Sequence, residues 1–378
     1  MRVVYAIGSK FAGGGIGTTA YHGVRALCRH GLLCRLLCGA YRETDVPASL
    51  IRTLGLADKV LRRLAVYDRS HWMAHVQSVV FDAWAARRLE PAEVFLVWYK
   101  AGLRSMRRAQ AMGMVTLSQW GNVHPQQQYE VLAQEYARWG MHRRMPRAVV
   151  ARALAEIDAA DHLICASARA AETFRARGVA AAKLITVVNG ADLARFQPRR
   201  EGPTHPFRVL FVGQVGFRKG VPYLLEAWQQ LGWGDAELWL AGNTDAEIRP
   251  LLRRAAAMPT LRLLGYAPDP LALYQAADVF AFPTLLEGSA KVTFEALACG
   301  VPVITTHDAG SVVRDGEEGL LVSARDAAAL ATALERLRTG ERLRREMGRA
   351  ARLRAESFSW DGHGENLVRA VTALREER

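Results

Sequence analysis

Strand-length apolar runs alternate with helix-period stretches along nearly the whole chain, and the alternation breaks once and restarts. Residues 2–7, 32–38, 95–98, 115–120, 163–165 and 185–188 read as strands, the first leading through a Gly-rich turn into a helix over 16–30. Strands that keep returning after helical crossovers build a doubly wound, mostly parallel sheet. The break follows Phe196, where Pro198, Gly202, Pro203 and Pro206 flank a run of charge. A second series then begins, with strands expected at 208–212, 238–241, 261–264, 279–282 and 303–305. The expected fold class is α/β with two Rossmann-like domains. They span 1–196 and 207–357, joined by a linker at 197–206, and a helix in 358–378 packs back toward the first. A ligand of such a fold is expected in a cleft facing the C-terminal strand ends.

Composition supports a packed protein of this kind. The chain has 378 residues, half of them apolar, enough for two domains of ordinary size. Its longest apolar runs, such as 94–98, are strand-length and far short of a bilayer span. Residues 1–7 are too short for a signal-peptide core, so a cytoplasmic protein is expected, with peripheral contact at the inner face of the membrane kept open. The five cysteines, at 28, 34, 38, 165 and 299, include no Cys-x-x-Cys, which points to free thiols and away from structural zinc.

Three stretches carry chemistry. Glu287 lies at the C-terminal end of the 279–282 strand and Glu295 inside a helix read over 290–299, whose first N–H groups suit a phosphate or sugar hydroxyls. Arg218 and Lys219 precede Gly220, directly after a strand and at a helix start. They supply a planar bidentate donor and a mobile point charge there. Cations at a helix N-terminus oppose its dipole unless an anion binds between them. In the first half, Gly14 and Gly15 belong to a loop in which Gly15, Gly17 and Ala20 formally fit a dinucleotide fingerprint. The acidic ribose partner that such a fingerprint needs is absent, since residues 37–42 read Leu-Cys-Gly-Ala-Tyr-Arg. His124 follows the 115–120 strand and is expected to point into the cleft. The chain has no Asp-x-Asp, so no metal site is expected.

In order along the chain, these stretches resemble the retaining, family 4 glycosyltransferases. The spacing of Glu287 and Glu295 is similar to that family's Glu-x7-Glu signature, and residues 211–220 to its phosphate-binding loop. Residues 187–192 with Phe196 and Pro198 are similar to its pre-linker turn, and 308–311 and 315–322 to its last segments. The resemblance implies the GT-B fold, two facing Rossmann-like domains, and a nucleotide-diphosphate sugar as co-substrate with no further cofactor. It implies Lys219 as the phosphate lysine, Glu295 on the donor ribose and Glu287 near the reacting sugar carbon. It also implies the N–H groups of Ala290, Lys291 and Val292 around the sugar and distal phosphate, and Gly213, Asn243 and Tyr266 lining the nucleotide. His124 would steady acceptor or phosphates, and the loop with Gly14 and Gly15 would face the cleft and let its backbone approach the acceptor or the donor phosphates. Many members carry Arg after the loop's first Gly, where this chain has Gln214, so Arg218 is read as the second positive group.

The expected activity is metal-independent, retaining transfer of a sugar to a cell-envelope or polysaccharide-type acceptor, whether glycan, lipid-linked or small molecule. A paired-carboxylate hydrolase, an epimerase or phosphorylase on the same fold, an NADP oxidoreductase and a non-enzymatic basic binding module are the rival readings. Charge bears on the last. Residues 1–200 carry 29 Lys/Arg against 14 Asp/Glu, a net +15, whereas 201–378 are near neutral. Arg62, Arg63, Arg104, Arg107, Arg108, Arg143 and Arg144 could face an anionic membrane or a polyanionic acceptor, and the helix of Arg104, Arg107 and Arg108, with Leu103 and Met106 as its apolar side, is the expected contact with a membrane. No nucleic-acid-binding motif is present, and none of that class of partner is expected.

Overall fold

A computed structural model of the chain describes residues 1–65, 72–142, 146–199 and 206–374; Arg143 and Arg144 lie outside it, as does the side chain of Arg62. Two compact units result. The first comprises Met1–Ala133, His142–Asn189 and the residues from Trp360; the second comprises Gln134–Met141 and Gly190–Ser359.

The first unit is built on seven strands: β1 (Val3–Phe11), β2 (Leu33–Tyr41), β3 (Ile51–Thr53), β4 (Val94–Trp98), β5 (Val115–Trp120), β6 (His162–Cys165) and β7 (Leu184–Thr186). They lie in the order β3-β2-β1-β4-β5-β6-β7 and every neighbouring pair is parallel. Strands buried on both faces need unbroken apolar runs, and β4, Val-Phe-Leu-Val-Trp, is buried at every position. Helices α1 (Ile16–Arg29), α2 (Leu56–Ala65), α3 (Trp72–Ala86), α4 (Leu103–Ala111), α5 (Pro125–Arg138), α6 (Arg147–Ala159) and α7 (Ala168–Arg175) make the crossovers.

The second unit holds β8 (Phe207–Val212), β9 (Ala236–Ala241), β10 (Leu261–Gly265), β11 (Val279–Phe282), β12 (Val303–Thr305) and β13 (Gly319–Leu321). Their order is β10-β9-β8-β11-β12-β13, again parallel. Its helices are α8 (Val221–Leu231), α9 (Arg249–Ala255), α10 (Leu271–Gln275), α11 (Lys291–Ala298), α12 (Ala327–Thr339) and α13 (Glu341–Glu356). The last helix, α14 (Trp360–Ala373), packs on α1 of the first unit. In each sheet the strand order reverses at the first strand, between β1 and β4 and between β8 and β11. Ligands of open parallel sheets bind beyond the carboxyl ends of strands at such reversals.

Two details differ from the sequence reading. The division between the compact units falls at Asn189/Gly190, while residues 200–205 of the expected 197–206 linker lie outside the described residues. Residues 190–198 are stitched to the second unit, where Ala191 N–H donates to Phe358 O (2.9 Å) and Arg352 Nη1 to Phe196 O (3.0 Å). Residues 134–141 also join that unit, because the fully buried Glu135 accepts from Tyr223 Oη (2.8 Å) and Arg325 Nε (2.7 Å).

Candidate active site

Gly220 makes the site possible. Its φ of 71° is left-handed, and a Cβ there would collide with the Pro283 carbonyl oxygen, so a glycine lets the loop after β8 press against the loop after β11. The two loops then bond: Leu285 N–H donates to Arg218 O (2.9 Å) and Thr284 Oγ1 to the same oxygen (3.1 Å). This brings Arg218 and Lys219 onto one carboxylate. Glu287 Oε1 accepts from Arg218 Nη1 at 2.7 Å and from Lys219 Nζ. Burial pushes the Glu287 carboxyl up, but Lys219 and Arg218 together outweigh it and hold the group below the usual carboxylate range. The Lys219 ammonium is drawn below the ordinary lysine range by burial, with Glu287 opposing.

The Glu287 loop is pinned from its other side by the turn at His307–Ala309. Glu287 N–H donates to Asp308 O (2.7 Å) and Ala290 N–H to Ala309 O (3.0 Å). The Ala290 N–H is therefore already taken by a carbonyl, which corrects its expected role as a ligand donor. Helix α11 starts at Lys291, so the N–H groups of Lys291 and Val292 fall in its first turn, where no helical carbonyl reaches them. Glu295 sits one turn on. It accepts from Tyr274 Oη (2.9 Å), and burial raises its carboxyl against the pull of Tyr274 and Lys291. Burial pushes Lys291 down to about 8, Glu295 opposing.

The remaining candidates of this unit lie at neighbouring strand ends. Gly213 follows β8, Asn243 is exposed after β9, and Tyr266 is exposed after β10. Asn243 O accepts from Val215 N–H (2.8 Å). Gln214, standing where many family members carry Arg, donates Nε2 to Asp245 Oδ1 (2.9 Å). It anchors a loop and brings no charge. Tyr274, Thr284 and Asp245 were not anticipated.

In the first unit, Gly14 and Gly15 are exposed between β1 and α1, both with positive φ, and Gly15 caps the start of α1. His124 behaves differently from expectation. It is 3% exposed, its ring packs edge-on against Phe174, and its Nδ1 accepts from Gln126 N–H (3.3 Å). Burial, helped by Arg177, holds it down to about 4. Its geometry is that of a neutral histidine built into the start of α5. Among the described residues, no group of three or more His, Cys, Asp or Glu is placed to hold a metal ion.

Residues 206–339 match the family model described as glycosyl transferases group 1, the segment that contains Arg218, Lys219, Glu287 and Glu295. The D-inositol 3-phosphate glycosyltransferase of Geodermatophilus obscurus is 34% identical over 261 residues, covering 62% of this chain and 57% of that protein. The protein of the same name from Pseudarthrobacter chlorophenolicus is 32% identical over 225 residues, covering 54% of each. The chain resembles the family 4-type glycosyltransferases. It spans about half the length of the curated relatives it matches. The whole fold aligns with sucrose-phosphate synthase from Thermosynechococcus elongatus at a TM-score of 0.72 and 21% identity, covering 100% of both chains. It also aligns with Anabaena HepE, solved in complex with UDP, at a TM-score of 0.72 and 14% identity, covering 99% of this chain and 100% of the other. The fold is GT-B.

Proposed function

We propose that this chain is a retaining, metal-independent glycosyltransferase that moves a sugar from a nucleotide-diphosphate donor to a cell-envelope or polysaccharide-type acceptor. The observation that carries this reading is the pair of cations, Arg218 and Lys219, gathered on Glu287 at the strand-order reversal of the second sheet. A diphosphate arriving there takes up both cations, which are preorganised for the charge that develops on a leaving nucleoside diphosphate. The anomeric carbon–oxygen bond to the phosphate breaks, and a new bond forms to the acceptor hydroxyl on the same face of the sugar. The hydroxyl proton passes to the departing phosphate. Glu287, freed in part from its cations, faces the positive charge on the sugar ring, and Glu295 holds the ribose hydroxyls.

Anabaena HepE has been solved with UDP-glucose, so a UDP-sugar is the first donor to test here. A thermal-shift screen of UDP, GDP, ADP and their sugars tests binding, since a ligand of the folded state raises stability by RT ln(1 + [L]/Kd). NMR of the product's anomeric proton, with and without chelator, then tests retention and metal independence. Glu295→Ala is expected to lower nucleoside diphosphate affinity roughly ten- to hundred-fold, the loss of a charge-assisted hydrogen bond, while the chain stays folded. Unchanged affinity by calorimetry removes Glu295 from the ribose.

A further inference from the structure

Helix α2 buries one side and, among the described residues, leaves the other exposed. Its inner side holds Asp58, 0% exposed, whose Oδ1 accepts from Gln77 Nε2 of α3 at 2.6 Å. Leu56, Val60 and Leu64 recur every four residues and are 81%, 58% and 51% exposed, so they form one stripe along the outer side. Lys59 and Arg63 are exposed beside that stripe. Helix α3, packed on α2, adds the exposed side chains of Trp72, Val79 and Val80.

Helix α4, packed on α3, supplies charge but little apolar surface. Met106 is fully buried and Leu103 half-buried, so the apolar side expected to meet a membrane is spent in the core. Between α3 and α4 lies a hollow of about 460 Å³, with Ala83, Ala86 and Leu89 as its apolar part and Arg87, Arg104 and Arg108 as its charged part. The acidic groups of this stretch are occupied elsewhere. Asp82 is buried and accepts from Arg104 N–H (2.7 Å) and Ser105 N–H (2.8 Å), while Glu90 pairs with Arg35 at 2.7 Å.

A stripe of large aliphatic side chains beside guanidinium and ammonium groups calls for a partner that accepts both. An anionic bilayer surface does so: its phosphates meet the cations and its headgroup–acyl boundary takes the aliphatic side chains. A second copy of this half would bring another net charge of +15 against the first. We propose that helices α2 to α4 form a docking face for an anionic lipid bilayer, with Leu56, Val60 and Leu64 entering the headgroup–acyl boundary and Lys59, Arg63, Arg87, Arg104 and Arg108 facing lipid phosphates. This face is independent of the donor chemistry assigned to the second unit.

Co-sedimentation of the full chain with phosphatidylcholine–phosphatidylglycerol vesicles, against phosphatidylcholine alone, decides the matter. The chain is expected to pellet with the anionic vesicles and to be released as salt rises from about 0.1 to about 1 M, which shortens the Debye length from about 10 to about 3 Å. Lys59→Gln and Arg63→Gln each lower the partition coefficient about fivefold. Val60→Asp with Leu64→Asp lowers it about tenfold or more at an unchanged melting temperature. Leu56→Ser, at the most exposed position, gives the same reading if the double variant fails to fold. The proposal is overturned by no pelleting at low salt, by equal pelleting with both vesicles, or by binding untouched by the aliphatic substitutions. A concentration-dependent dimer in sedimentation velocity, abolished by the same substitutions, also overturns it and assigns the stripe to a second copy.

Discussion

Lys219 and Arg218 converge on a single oxygen of Glu287, so removing either cation leaves the other with the whole carboxylate. Replacing Lys219 or Arg218 with Ala is expected to lower kcat/KM by about 10²–10³, the usual loss when preorganised charge is removed from a leaving group. Added magnesium restores nothing if these side chains do the work; recovery of the rate would transfer that work to a metal. These residues were legible because each sits within a few positions of a strand end, where local spacing reports position in the sheet. Tyr274 and Asp245 were not, since they reach the site from separate elements and nothing in their own neighbourhood marks them. His124 was legible as a residue beyond β5 but not as a buried one. Its exposure depends on Phe174, about fifty positions away in the chain. Its pKa makes a separate prediction. An imidazole held neutral down to about 4 in the folded chain but titrating near 6.5 when unfolded gives stability present above pH 6.5 and lost as pH falls toward 4. Urea titrations should show the wild type losing up to about 3 kcal/mol relative to His124→Gln across that window, and none above pH 7. Parallel curves across the window would mean that the ring is solvated.

At the scale of elements, the turn from β8 into α8 depends on one backbone geometry. Gly220 and Gly232 both have left-handed φ, at the two ends of α8, but only the first is pressed against a carbonyl; nothing lies within 4 Å of where a Cβ would stand at Gly232. Gly232→Ala should therefore cost about 1 kcal/mol and Gly220→Ala more than about 3, because strain and collision add at the second position. Denaturant midpoints measure the difference. Equal costs would show that the loop after β11 yields freely, and the Arg218–Glu287 contact would then not depend on Gly220. Elements of this kind were largely readable. Strands β11 and β12 coincide with the apolar runs read from the sequence, as expected of parallel strands buried on both faces, and β5 was read at its observed bounds although Thr116, Ser118 and Gln119 interrupt its apolar side chains. Strands β3 and β13 went unread: Arg52 interrupts the first and Gly319 opens the second, so neither shows an apolar run, and each is held by pairing with its neighbour at an edge of its sheet.

At the scale of the whole molecule, the chain finishes on the unit in which it began, and the contact is built for close approach. Helix α14 meets α1 at two glycines: a Cβ at Gly364 would come within 2.6 Å of Ala26 Cβ, and one at Gly23 within 2.7 Å of Leu367 Cδ2. Leu367 and Val371 are fully buried there, His363 Nδ1 bonds to Val188 O at 2.8 Å, and His22 stacks on Trp360 with rings 4.5 Å apart. The return of a helix in 358–378 toward the first domain was expected from the sequence, but the composition break after Phe196 gave no hint that 190–198 belongs with the second unit, because that rests on hydrogen bonds between residues distant in sequence. The first unit's core should therefore depend on the last helix. Leu367→Ala is expected to cost about 2–5 kcal/mol, the range for a cavity at a fully buried leucine, and Gly364→Val a further collision with α1. Ending the chain after Ser359 should abolish the first unit's cooperative melting. A nucleoside diphosphate should still protect the second unit, whose Arg218, Lys219, Glu287 and Glu295 are all untouched. Two-transition calorimetry of the full and shortened chains reads both effects, and an unchanged first transition in the shortened chain would make α14 an appendage.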